Sequence, residues 1–124
     1  MSWNEGEALE DAFRPATQVE GAVLAALLGV SFAGRAELLD QIADLTVRRV
    51  DANGSLQLRG SGVPKAPVDR RVPVEAEFLD SDGMPVHLLL HVIDGALSEL
   101  EIYREDSGTV LSAVGPGELS ILVL

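Results

Sequence analysis

The 124 residues include no cysteine. Disulfides, thiolate zinc sites, iron–sulfur clusters and cysteine nucleophiles are thereby excluded. A chain that needs no disulfide fits the cytoplasm, which is the location expected. Aromatic residues make up only 4% of the chain, so the core must be aliphatic. Long apolar runs are also missing. The longest, Ala22 to Val30, contains Gly29 and falls well short of the roughly 20 residues that a spanning helix needs. It lacks a basic flank and a small-residue cleavage site, so it does not read as a signal peptide. Positive charge is scarce: 9 Lys and Arg stand against 20 Asp and Glu, a net charge of −11. Nucleic acid and anionic membranes attract basic surfaces, so neither is an expected partner.

The little positive charge there is lies in one stretch. Residues 48–71 carry Arg48, Arg49, Arg59, Lys65, Arg70 and Arg71 against Asp51 and Asp69. This stretch could take an anionic ligand. Pairing with the protein's own acidic surface is the expected outcome, at about 0–1 kcal/mol per exposed pair. Hydrophobic residues form 47% of the chain and charged ones 23%. That balance is globular, and the length suits one domain over residues 1–124.

Helical signals come first. Ala8, Leu9, Ala12 and Phe13 sit at helical spacing within Met1–Arg14, and Pro15 ends that segment. Thr17-Gln18-Val19-Glu20 has the pattern of a capping box. It predicts a helix over Thr17–Leu28, with Val19, Val23, Ala26, Leu27 and Val30 on the buried side. Val30–Phe32 reads as a short strand and Arg35–Asp44 as a second helix. Strand patterns follow at Leu45–Val50, Ser55–Arg59, Arg71–Leu79, Met84–Val92, Ala96–Arg104, Thr109–Ala113 and Glu118–Leu124. Gly60–Asp69 is a long loop, and long loops are functional or mobile. Helices first and strands afterwards predict an α+β fold, with N-terminal helices packed on an antiparallel meander sheet. An NTF2-like cone is the alternative.

Val72–Arg104 is the stretch around which the rest is organised. Polar runs ending in Gly54, Gly83, Gly95 and Gly108 mark turns in which glycine takes a positive φ. Alternation then suggests the registers. Gly83 closes a hairpin that pairs Phe78 with Val86, Ala76 with Leu88 and Val74 with Leu90. A two-residue turn at Asp94-Gly95 would set Leu90 against Glu99. A three-residue loop with Gly95 at the bulge position instead pairs Leu88 with Leu100 and Val86 with Ile102, and keeps one face apolar.

The run Asp82–Asp106, DGMPVHLLLHVIDGALSELEIYRED, resembles a family of small uncharacterised proteins, mainly actinobacterial, with a pattern like DGxPVHxLLHVxDGxLSELExYRxD. Phe32–Arg35 with Leu38-Leu39, and Val72–Glu77, are similar to it as well, so the likeness covers about Phe32 to Asp106. It implies a shared fold and assigns no catalytic role.

The odd-numbered face of the meander carries the candidate ligand residues. The expected register sets His87 between Glu77 and Glu101, with His91 further along and Glu99 diagonal to it. Opposed side chains in a sheet have Cβ atoms about 4.5–5.5 Å apart. An imidazole between two carboxylates can hold a divalent ion or act as an acid–base pair. The plainer reading is a solvated face with cross-strand ion pairs. His87 and His91 are about 13 Å apart along a strand, too far to share one ion. Leu79, Leu89 and Leu97 are expected on the same face, which points to something covering it, a partner subunit above all. The apolar C-terminal strand points the same way.

Other motifs are dismissed. Gly60–Pro64 is not a phosphate loop, since Pro64 removes a backbone donor and no Gly-Lys-Ser/Thr run follows. Gly29–Ala33 lacks the second glycine of a nucleophile elbow. Asp80–Gly83 lacks the outer ligands of a calcium loop. No motif implies a cofactor. The sequence therefore reads as an interaction module forming a homodimer, with a small-ligand, metal-binding or enzymatic face at His87, Glu77 and Glu101 as the alternative.

Overall fold

The capping box forms as its pattern requires. A computed structural model describes residues 12–124. In it the Glu20 N–H donates to Thr17 Oγ1 at 3.1 Å, and the Thr17 N–H donates to Glu20 Oε1 at 2.8 Å. Helix α1, Gln18–Leu27, starts from this cap. Its buried face is Val23, Leu24, Leu27 and Leu28. Val19, expected inside, is 55% exposed on the first turn. Helix α2 spans Arg35–Gln41 and continues into a 3-10 turn at Ile42–Asp44. Val30–Phe32 forms no strand. The helix expected over Met1–Arg14 lies mostly outside the described residues. Its end differs, because Arg14–Pro15 pairs as strand β1.

Six further strands follow: β2 Thr46–Arg49, β3 Leu56–Arg59, β4 Val74–Leu79, β5 Pro85–Ile93, β6 Ala96–Arg104 and β7 Ser120–Val123. They form one sheet in the order β1-β2-β3-β6-β5-β4-β7, antiparallel at every pairing. The fold is α+β, as the element order implied. Strand β6 lies against β3, so the chain must travel from β3 to the far side of the meander before β4 begins. This explains the long Gly60–Asp69 loop. It is pinned on its way: the Ala66 N–H donates to Gly95 O, and the Gln41 amide donates to Pro64 O.

Side-chain alternation places the core. Val86, Leu88, Leu90 and Val92 of β5 are buried, as are Val74, Ala76 and Phe78 of β4. Both helices pack on this face, through Val23, Leu24, Leu27, Leu28 and Leu38. Among the described residues no helix covers the opposite face.

The first hairpin has the expected register, with Phe78 opposite Val86, Ala76 opposite Leu88 and Val74 opposite Leu90. The second does not. Leu88 faces Ile102, Leu90 faces Leu100 and Val86 faces Arg104. Asp94 and Gly95 form a two-residue turn between Ile93 and Ala96, with φ of 51° and 76°, the primed geometry that suits strand twist. A bulge then intervenes: Val92 faces Leu97 but His91 faces Glu99, leaving Ser98 as the extra residue. The two-residue turn puts Leu97 in the core, where it is buried instead of lying on the charged face, and the bulge moves Glu99 away from Leu90.

Gly95 has a second constraint. A Cβ there would sit 2.8 Å from Ala66 O, whereas at Gly83 (φ 85°) it would meet nothing within 4 Å. Left-handed backbone costs an L-residue roughly 1–2 kcal/mol. Gly83→Ala is therefore expected to lose about that much in a denaturant melt. Gly95→Ala is expected to lose clearly more, because the loop carrying Ala66 must also shift.

Gly54, Gly83 and Gly95 have the expected positive φ; at the last turn Ser107 takes it (φ 66°) and Gly108 does not. The expected strand Thr109–Ala113 is irregular. Its N–H groups are taken by side chains: Val110 donates to Asn53 Oδ1, and Leu111 and Ser112 donate to Asp80. Strand β7 pairs with β4 but at the sheet's edge, and its Leu122 and Val123 are exposed rather than covered.

Candidate functional site

The open sheet face collects the candidate residues, in a grouping the bulge sets. Glu77 stands opposite His87, as expected. On the other side His87 faces Tyr103, while Glu101 faces Leu89. The expected His87–Glu101 pair therefore does not form, because the register is shifted by two residues. Two separate His–Glu sets result.

The first is centred on His87. Its Nε2 lies 3.0 Å from Glu105 Oε1 and its Nδ1 3.8 Å from Glu77 Oε2. The ring stacks on Tyr103 with centroids 5.1 Å apart. Glu105 lies in the turn that follows β6. A shallow hollow of about 280 Å³ lies beside His87, lined also by Glu75, Glu77 and β7.

The second is centred on His91. Its Nε2 lies 2.9 Å from Glu101 Oε1, and Glu99 stands directly opposite it instead of diagonal. Arg71 Nε donates to His91 Nδ1 at 3.1 Å. A guanidinium has no acceptor, so Nδ1 must be the bare nitrogen. The proton then sits on Nε2 and is donated to Glu101.

The basic stretch ends up elsewhere than expected. Among the described residues none of its cations forms a carboxylate salt bridge. Arg59 and Arg48 lie over the Phe13 ring, with Cζ 3.9 and 5.4 Å from its centroid. Arg49 donates to the carbonyls of Asp51 and Ala52. Arg71 holds His91.

The strongest charge cluster was not singled out by the sequence. All five N–H donors of Arg104 are used: Nε and Nη2 on Asp106, Nη1 and Nη2 on Asp82, and Nη1 also on Asp80. Arg104 and Asp80 are buried. Burial alone would raise the Asp80 pKa. Hydrogen bonds from the Leu111 and Ser81 N–H groups, from Arg104 and from Ser112 outweigh it and hold the carboxyl well below the usual range. The Arg104 bonds bring Asp106 down to about 2. Every oxygen of this cluster is turned to Arg104 or to backbone, so the cluster clamps the ends of the hairpins. The signal was present: Arg104 follows Leu100 and Ile102 at inward-facing spacing, beside two aspartate-rich turns.

A further cleft of about 320 Å³ lies between α1 and the sheet, lined by Val23, Leu56, Leu100, Ile102 and Val110, with Arg49 among its polar residues.

Residues 13–114 match a domain of unknown function, DUF6984. The chain belongs to this family. The matched span includes both His–Glu sets and the Arg104 cluster, and takes in the whole Phe32–Asp106 stretch that carried the resemblance. Strand β7 lies beyond it. No curated protein and no solved structure matches the chain. Among the described residues no helix is long and apolar enough to cross a membrane.

Proposed function

We propose that this DUF6984 protein is a non-catalytic interaction module of the cytoplasm that self-associates through the outer edge of β7, which no other described strand covers. The contrast between the two edges of its sheet carries the reading. The β1 edge is two residues long, contains Pro15, and has Arg14 locked to Glu20 at 2.7 Å. Shortness, proline and charge are the usual means of blocking unwanted strand pairing. The β7 edge, Ser120–Val123, has neither charge nor proline. Leu122 is 56% exposed, and Leu79 on the neighbouring strand 63%. An antiparallel strand that pairs with its own copy does so about a two-fold axis, which gives a closed dimer.

The test is light scattering on the intact chain and on Leu122→Lys. Leu122 stands opposite Glu75 on the open face, so a lysine there has a carboxylate partner and the monomer should keep its fold. The intact chain is expected at twice its chain mass and the variant at the monomer mass. A monomeric intact chain would refute the reading.

A further inference from the structure

We propose that His91, Glu99 and Glu101 form a binding site for a single divalent transition-metal ion of the zinc type, with Arg71 held on the opposite ring nitrogen of His91 when no ion is bound. One donor atom from each of the three residues lies within 4.8 Å of the others. Metal–ligand bonds to imidazole and carboxylate are about 2.0–2.2 Å, so small side-chain rotations bring the three onto one ion. Water would complete the coordination.

Three observations make this more than a patch of surface acid. The first is the bulge. An unbulged continuation of the Asp94-Gly95 turn would pair Leu90 with Glu99; the extra residue Ser98 sets His91 opposite Glu99 instead. Bulges often re-aim side chains beside functional sites. The second is enclosure. The His91 side chain is only 13% exposed, and two paired central strands fix the backbone of all three residues. The third is Arg71. Its guanidinium already places a cation on the imidazole, 3.1 Å from Nδ1. Arg71 itself is exposed and precedes β4, so its side chain is free to swing away.

The proton accounting follows from the tautomer. With Nδ1 accepting from Arg71, the Nε2 beside Glu101 carries the proton and has no lone pair for an ion. Binding at Nε2 requires that this proton leave to solvent and that Nδ1 take one up. The ring stays neutral, and the new Nδ1–H cannot face the Arg71 N–H. Arg71 must therefore withdraw as the ion enters. One imidazole with two carboxylates favours zinc, nickel or copper over magnesium and calcium, which prefer oxygen alone.

Calorimetric titration of the full chain with zinc, and separately with magnesium, tests the proposal. One zinc per chain is expected, with magnesium at least tenfold weaker. His91→Ala and Glu101→Gln should each weaken zinc binding at least tenfold. Arg71→Ala should strengthen it severalfold, and more than Arg70→Ala, which removes the same charge without the contact. His87→Ala should leave it unchanged. Since these side chains face outward, thermal melts should show the variants folded. His91→Gln serves if His91→Ala does not fold. Absence of saturable zinc binding, or binding that survives both His91→Ala and Glu101→Gln, would overturn the site. Equal effects of the Arg71 and Arg70 variants would overturn the role of Arg71.

Discussion

Replacing Arg104 with methionine is expected to lower the melting temperature more than any substitution on the open sheet face. Methionine keeps much of the length and apolar stem but removes all five donors that hold Asp80, Asp82 and Asp106. Three carboxylates would then face one another with no cation between them. Breaking a buried pair by removing one partner is far worse than never having had it, because the remaining charge is stranded. Asp80 also holds the Leu111 and Ser112 N–H groups, so the damage should spread to residues 109–114. Lysine should rescue little, since three donors on one nitrogen cannot satisfy two carboxylate forks. The same cluster predicts an acid limit. Asp80, Asp82 and Asp106 all have pKa values lowered by folding. A lowered carboxyl binds fewer protons folded than unfolded, so its stabilisation is complete above the unfolded value of about 3.9. It fades as pH falls through the folded value, about 2 for Asp106. Melting temperature measured from pH 7 down to pH 2 should show this loss below about pH 4, and Arg104→Met should flatten it. An Arg104→Met protein with an unchanged melt would show that the cluster is decoration.

Much of the fold was legible because the relevant signals are local. Thr17 and Glu20 are three residues apart, and both bonds of the capping box exist. The Gly83 hairpin follows from one turn and clean alternation on both strands. The second hairpin shows where such reasoning stops. Alternation has period two, so it fixes which face a residue takes but not a register shift of two. Pairing Leu88 with Leu100 or with Ile102 satisfies it equally. What separated the two was a turn one residue shorter followed by a one-residue bulge, and the bulge's trace was the broken alternation of Leu97-Ser98-Glu99-Leu100. Turn and bulge together decided the site: they moved Glu101 from His87 to His91 and brought Glu99 opposite His91. Thr109–Ala113 failed for another reason. A strand needs a neighbouring strand for its N–H groups, and here Asp80 and Asn53 had taken them. No local pattern announces a contact with a side chain some 30 residues away.

Gln41→Leu is the second large loss expected, and it tests a residue with no signature at all. In the sequence Gln41 is one polar position at the end of a helix. In the structure it is buried, with 2% of its surface exposed. Its amide donates to Pro64 O at 2.7 Å and to Gly95 O at 2.8 Å, and its Oε1 accepts from the Leu97 N–H at 2.9 Å. One side chain thus ties α2 to the crossing loop and to the β5–β6 turn. Two of these bonds serve the hairpin, at Gly95 O and the Leu97 N–H, and the third serves the loop carbonyl of Pro64. Leucine fills a similar volume, so little of the loss should come from packing. It offers no polar atom to any of the three. A buried polar group left without a partner costs about 1–3 kcal/mol. Gly95 O keeps its bond from the Ala66 N–H, so the main loss falls on the buried Leu97 N–H, about 1–3 kcal/mol on the same scale, with a smaller one at Pro64 O, whose residue is exposed. Glutamate at this position should be worse than leucine, because a buried carboxylate can accept from Leu97 but repels both carbonyls. Urea melts of the two variants beside the parent check this order. If leucine were neutral, water must reach those backbone groups, and the junction of α2 with the hairpin would not be the dry pin described above.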